Sequence, residues 1–395
     1  MAVAAEESRR RRIGTLAADP RLRSFLLQLA LLLLVLWLGW AFVENARENL
    51  ATQNVATGFG FLSETAGFGV SQSLIPYAES STYGRAFVVG LLNTLLVSGL
   101  GIVFASVIGF AVGIARLSSN VLLARLAGAY VETLRNLPLL FQILFWYLAV
   151  LGTLPSPGAS EPVLGSIYFT SRGILMPRLV LESGSVIVFA ALIFAIVAVV
   201  LLWWRAGRGS GVVATLVKGL ASLALIVVLP VVAFVAAGAP ISLDLPELKG
   251  FNFVGGLRVN PEFLALLFAL STYTASFIAE IVRAGFLAVP RGQTEAAASL
   301  GLRRAPMLRL IVAPQAMRLI VPPLTSQYLN LTKNSSLAAA IGYPDFFYVF
   351  AGTTLNQTGQ AIEIIAVTMA VYLAISLVTS LLMNWYNRAV ALKGA

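Results

Sequence analysis

Eight apolar runs, each long enough to cross about 30 Å of hydrocarbon, dominate this chain of 395 residues. They fall near residues 24–43, 87–115, 126–151, 185–204, 219–237, 263–281, 310–329 and 361–385. Backbone in lipid must satisfy its own hydrogen bonds, so such runs predict helices. The chain therefore reads as an all-α polytopic membrane protein with about eight transmembrane helices. Only 11% of residues are charged and 58% are hydrophobic, whereas soluble domains carry about 25% charge. That balance excludes an ordinary soluble enzyme, which needs more polar surface than this chain owns. The first run is 20 residues long and is followed by Glu44-Asn45-Ala46-Arg47, a poor cleavage site, so it is expected to stay as a membrane helix.

Cations set the expected orientation, because short cytoplasmic loops concentrate Lys and Arg. With the N-terminus inside, the inner side collects 18 cations, including Arg9, Arg10, Arg11, Arg12, Arg116, Arg283, Arg291, Arg303, Arg304, Arg309, Arg388 and Lys393. The outer side collects 7, and Arg135 and Arg318 sit within spans. Both termini are thus predicted to be cytoplasmic, with the net charge of +10 facing anionic headgroups rather than nucleic acid. Residues 1–23 form a basic tail, and 24–84 comprise the first helix and a long outer segment. Residues 152–261 carry two spans without an intramembrane charge, which read as a peripheral, lipid-facing hairpin between two outer loops.

The chain contains no Cys and no His. The commonest metal ligands and the commonest general base are therefore missing, and no metal or cofactor is expected. No G-x-x-x-x-G-K-[ST] phosphate loop is present. Moving a solute across the bilayer is the task left, with energy from an ion gradient or from another subunit.

Ionisable residues at membrane depth mark candidate sites. Glu132 and Arg135 are three residues apart, as are Glu280 and Arg283, so each pair shares a helix face. Two compatible readings stand: local salt bridges near the inner interface, or parts of an inner gate. Asn93, Gln142, Gln327, Asn330 and Asn334 are polar residues in or at the ends of spans, candidates for a substrate pathway or for interhelical hydrogen bonds. Pro138 and Pro322-Pro323 are expected to interrupt helices, as at many transporter sites. An inner loop, Val289-Pro290-Arg291-Gly292-Gln293-Thr294-Glu295-Ala296-Ala297-Ala298-Ser299-Leu300-Gly301, predicts a short helix that starts at Thr294-Glu295 and ends at a left-handed Gly301. Its small Ala face suits close approach by another protein, or the helix lies on headgroups.

Glu295-Ala296-Ala297, then Gly301, then Ala313-Pro314-Gln315-Ala316 resembles the EAA loop of ABC importer permeases. Gly90-Leu91-Leu92-Asn93-Thr94-Leu95, Tyr130-Val131-Glu132-Thr133-Leu134-Arg135-Asn136-Leu137-Pro138, Ser276-Phe277-Ile278-Ala279-Glu280-Ile281-Val282-Arg283 and Lys333-Asn334-Ser335-Ser336-Leu337 resemble permeases for polar amino acids. The resemblance implies a type I ABC importer core over 85–388, with 152–261 as an insertion like that of longer permeases for general L-amino acid or glutamate/glutamine/aspartate/asparagine uptake. It implies two ATPase subunits gripping Glu295, Ala296, Ala297 and Gly301, a second permease, identical or paralogous, and a periplasmic amino-acid-binding protein. Glu132, Arg135, Glu280 and Arg283 are then expected to brace the inner gate. The alternative is an ion-coupled secondary transporter with Glu132, Glu280 or Glu363 as carrier; a channel-like scaffold is a third reading.

Overall fold

The computed structural model describes residues 20–52, 57–205 and 212–390. The basic tail up to residue 19, Arg208 and Lys393 lie outside the described residues. The described residues are predominantly helical, and among them seven helices are long and apolar enough to cross a membrane. An eighth crossing is a bent pair, α3 (Val121–Asn136) followed by α4 (Leu139–Leu144) and its π-helical extension Phe145–Leu151.

The span expected over 126–151 is interrupted at Pro138 as expected, its two segments meeting at 107°. Pro138 explains the break, since a residue before proline avoids the α region; Leu137 takes an extended conformation there. Gln142 Nε2 donates to the exposed carbonyls of Leu134 and Leu137 at 2.9 and 3.0 Å and so closes the bend. Asn120 caps α3, accepting from Leu122 and Leu123 N–H groups.

The first span, α1 (Pro20–Thr52), leaves its described side chains exposed. The bundle is built instead on α2 (Tyr83–Ala115) and α7 (Pro261–Leu287). Ala265, Leu266, Ala269, Leu270, Ile278 and Val282 of α7 are fully or nearly fully buried. Small residues at Gly101, Ala105, Gly109 and Gly113 recur every four positions on α2; Gly109 and Gly113 let these two helices approach closely, and Gly101 lies against Leu331.

Between them come α5 (Ser185–Arg205) and α6 (Val212–Ala236), which pack on each other and expose most of their apolar side chains. This matches the peripheral hairpin read from the sequence. The loops flanking the hairpin are not purely irregular. Residues 162–176 and 257–259 form a four-stranded antiparallel sheet, and 178–181 pairs with 241–244 in a ribbon above the hairpin. A third, two-stranded sheet pairs 247–249 with 252–254, and its Phe253 meets Tyr168 of the four-stranded sheet with ring centroids 4.4 Å apart. The all-α expectation therefore needs this correction: a small β layer on the insertion, built from strands of two to four residues.

After α7 come α8 (Arg291–Ser299), the single turn α9 (Arg304–Met307) and α10 (Ala313–Asn334), which a π-helical stretch, Leu308–Val312, joins to α9. Pro322 and Pro323 do not interrupt α10, contrary to expectation; the helix runs through both. Beyond α10 the chain turns at Gly342, whose φ of +74° is left-handed, and folds back against α2 before the last span, α11 (Ala361–Val390). In that return segment Tyr343, Asp345, Phe346 and Phe350 are fully buried. Phe61, Phe87, Phe346 and Phe350 form an aromatic cluster that fastens the outer segment 57–82 to it.

Candidate functional site

Two features lie around the loop that carries Arg291, Arg303, Arg304 and Arg309. The first is helix α8. It begins at Arg291 directly after Pro290, not at Thr294-Glu295 as the sequence suggested. Pro290 supplies the extended entry residue, and the Thr294 hydroxyl donates back to the Arg291 carbonyl at 2.6 Å instead of capping. The end matches expectation. Gly301 is left-handed, φ +74°. Its N–H donates to the Ala298 carbonyl at 2.9 Å and the Leu302 N–H to the Ala297 carbonyl at 3.2 Å. These two bonds are a Schellman closure. Ala297 is buried against the chain's own body, whereas Glu295, Ala296, Ala298 and Leu300 are exposed. Gln315 Nε2 on α10 donates to Gln293 Oε1 at 3.3 Å and so ties α8 to α10. The result is a small-residue face with an exposed leucine at its end, flanked by Arg291, Arg303, Arg304 and Arg309.

The second feature is a cavity of about 450 Å³ between α2, α3 and α7, lined by Arg116, Val131, Glu132, Arg135, Asn136, Phe277 and Glu280. Glu280 lies at its centre of charge. One carboxylate oxygen accepts from the Arg116 guanidinium and the other from Arg283 Nη2 at 2.6 Å. Their side chains are partly shielded, which makes this a three-residue clamp and not a solvated surface pair. The Glu280–Arg283 pair thus matches the local bridge reading, and it gains a third member from the end of α2. Arg116 stood in the sequence only as an inner-loop cation; 164 residues separate it from Glu280, and no local signal marks the partnership.

Glu132 and Arg135 behave differently. Their spacing allows a bridge, yet no ion pair or hydrogen bond joins them among the described residues. Arg135 instead lies over the Phe277 ring, 5.0 Å from its centroid, a cation–π arrangement that competes with the local pair. Tyr130 fixes α3 against α7 by donating to the Thr272 carbonyl at 2.8 Å.

The polar residues assigned to a pathway separate into two groups. Asn93 and Gln142 are buried and engaged with backbone. Asn93 Nδ2 donates to the Gln72 and Pro344 carbonyls at 2.8 and 2.9 Å. Gln327, Asn330 and Asn334 lie together on α10, where Asn330, with Ser326 and Lys333, is exposed on the side turned away from this chain's own bundle. Glu363 accepts the Gly58 N–H at 2.7 Å at the start of the last span. Asp345 carries no local signal in the sequence. It is fully buried, accepts from the Tyr348 N–H at 2.8 Å and the Tyr372 hydroxyl at 3.1 Å, and burial pushes its carboxyl up to about 7.

Residues 101–392 match the family described as "Binding-protein-dependent transport system inner membrane component". The chain belongs to this family. As a binding-protein-dependent transport component it also has relatives along its whole length. It is 49% identical to the "General L-amino acid transport system permease protein AapQ" of Rhizobium johnstonii, over 95% of this chain and 94% of that one. It is 52% identical to the "Putative amino-acid ABC transporter permease protein YhdX" of Escherichia coli, over 95% of this chain and 96% of the relative. Identity to the "Glutamate/glutamine/aspartate/asparagine transport system permease protein BztB" of Rhodobacter capsulatus is 40%, over 97% of both chains. The resemblance to ABC importer permeases of the longer type, read from the motif blocks, therefore holds. The relatives match across the insertion as well as the core.

Proposed function

We propose that this chain is one permease subunit of an ATP-driven importer that carries polar L-amino acids across the inner membrane into the cytoplasm. The observation that carries the reading is α8: a short, exposed helix with a small-residue face, closed by a left-handed glycine and backed by the body of the permease. A chain without a nucleotide-binding motif has a use for such a face when a separate ATPase grips it. The names of the full-length relatives support amino acids as the substrate class.

In this reading two ATPase subunits engage Glu295, Ala296 and Gly301 from the cytoplasm, and both termini lie on that side; Ala297, expected in the same contact, is buried against the permease body and seats the helix instead. ATP closes the ATPase dimer and draws two such helices together. Only residues 288–290 separate α7 from α8, so displacement of α8 pulls on the inner end of α7. There Glu280 holds Arg116, just beyond the end of α2, and Arg283 of α7, and breaking or keeping this clamp distinguishes two states. Nucleotide drives the change because it binds one state better.

The polar stripe on α10 supports a second permease subunit, identical or paralogous. Lys333 and Asn330 at membrane depth are costly against lipid. A partner chain and a water-filled path between the two remove that cost, with Gln327, Asn330 and Asn334 on the path and Asn93 and Gln142 holding its walls. A periplasmic binding protein delivers substrate to the outer face.

The test is reconstitution in liposomes. The chain alone concentrates no amino acid. Adding the ATPase, the second permease, the binding protein and ATP produces accumulation. Accumulation driven by an imposed ion gradient without the ATPase overturns the reading in favour of secondary transport.

A further inference from the structure

The inner cavity holds an imbalance that the clamp does not use. Both oxygens of Glu280 are engaged by Arg116 and Arg283. Glu132 and Arg135, opposite in charge and one turn apart on α3, line the same cavity without meeting. Side chains three apart on a helix reach each other readily, so their separation has a cause, and the cause is Phe277, whose ring carries the Arg135 guanidinium at 5.0 Å. Stacking on a ring face leaves the guanidinium's in-plane N–H fork free for a carboxylate.

Two unlike charges held apart suit a ligand whose own unlike charges sit close together. We propose that this cavity is an amino-acid site in which the substrate's α-carboxylate seats on Arg135 and its α-ammonium on Glu132, the side chain occupying the remaining volume. The proposal rests on the reading of the chain as an amino-acid permease and deepens it by naming a subsite on the inner side of the pathway. A volume of about 450 Å³ falls in the range of small-molecule sites. A lone anion, such as a lipid phosphate, would satisfy Arg135 but meet the carboxylate of Glu132; a lone cation would meet Arg135. The zwitterion satisfies both. Because recognition falls on the α-groups, the site accepts amino acids of differing side chains.

The experiment uses the full transporter complex in nanodiscs without binding protein. The probes are L-glutamine, whose side chain is uncharged, Nα-acetyl-L-glutamine, which lacks the ammonium, and L-glutamine α-amide, which lacks the carboxylate. The wild-type complex is expected to prefer L-glutamine over each blocked analogue by about tenfold or more. Glu132→Gln abolishes the preference over the acetylated analogue and keeps that over the amide; Arg135→Gln does the reverse. A merely structural role moves both preferences together. Retention of both preferences in both variants, or parallel loss, overturns the proposal.

A second measurement leaves the charged pair intact. The chain has no cysteine, so Asn136→Cys places its single thiol at the cavity wall. L-Glutamine is expected to slow labelling of this subunit by a thiol reagent, and Nα-acetyl-L-glutamine is not. Equal protection by both, or by neither, counts against the site. ATP-dependent uptake of L-glutamine by the wild-type complex is measured in parallel. Its absence overturns the transport function, whereas uptake without the crossed pattern overturns this site alone.

Discussion

The approach of α2 to α7 rests on two glycines, and adding one carbon at either measures how tightly the core is built. A Cβ on Gly109 would lie 2.6 Å from Ile278 Cβ and Cγ2 and 3.0 Å from the Ala275 carbonyl oxygen. On Gly113 it would lie 2.7 Å from the Ala279 carbonyl oxygen and 2.8 Å from Val282 Cβ. Carbon atoms pack at about 3.5–4.0 Å, so the helices must part by close to 1 Å. Overpacking of this kind costs about 1–3 kcal/mol, and alanine returns up to about 1 kcal/mol through helix propensity. Gly109→Ala is therefore expected to destabilise by about 1–2 kcal/mol. Gly113→Ala sits at the upper end, because a backbone carbonyl cannot rotate away as a side chain can. Gly99→Ala is the matched control: it lies on the same helix with nothing within 4 Å of the added carbon, and is expected to be neutral or slightly stabilising. Gly113 also lies less than one turn from Arg116, so parting the helices there draws Arg116 away from Glu280 and lowers ATP-driven transport. Unfolding of the purified chain in mixed detergent, followed by far-UV ellipticity, gives the three values. A Gly113→Ala chain as stable as the Gly99→Ala chain would refute the close-packed seam.

Three further outcomes follow from the same geometry. Gly301→Asp places a charged side chain on a left-handed residue at the open end of α8; co-purification of the ATPase is expected to be lost while membrane insertion, read by fractionation, persists. Glu280→Gln leaves two guanidinium groups without their carboxylate and is expected to lower stability by about 1–3 kcal/mol, whereas Glu132→Gln changes it by less than about 0.5 kcal/mol; thermal melts of the two variants separate the clamp from the unpaired acid. Asp345, raised to about 7 in the fold from an ordinary 3.8, favours its protonated form when folded, so its contribution is present at low pH and is lost as pH rises through about 7. Stability, read from the melting temperature, is expected to fall between pH 5 and pH 8 by on the order of 3 kcal/mol, and Asp345→Asn is expected to flatten that profile; an unchanged profile in the variant removes Asp345 as its source.

What the sequence made legible is what local physics decides. The spans declared themselves by length and apolarity, and the hairpin of α5 and α6 by its want of charge. Gly301 was readable because a glycine after an alanine-rich turn has a specific backbone duty, and the structure gives it that duty. Pro138 announced a break but not an angle of 107°, which Gln142 and the packing of α4 on α7 set. The β layer escaped because strands of two to four residues carry no measurable period.

Pairing was the harder question, and the two Glu-x-x-Arg motifs show why. Both have identical spacing, yet only Glu280–Arg283 closes. The difference lies in what the surrounding helices offer. Arg116 arrives from the end of α2 and draws Glu280 into a clamp, while Phe277, one turn before Glu280 on α7, attracts Arg135 away from Glu132. A single helix, α7, thus presents the ring that separates one pair and the carboxylate that completes the other, and it runs within three residues of α8. Any force applied at α8 reaches both through one rigid element. In the proposed reading the clamp and the open pair are therefore coupled through α7: a shift of α7 that draws Glu280 from Arg116 also shifts Phe277 relative to Arg135, which ties the charge proposed to hold a ligand to the position of α8.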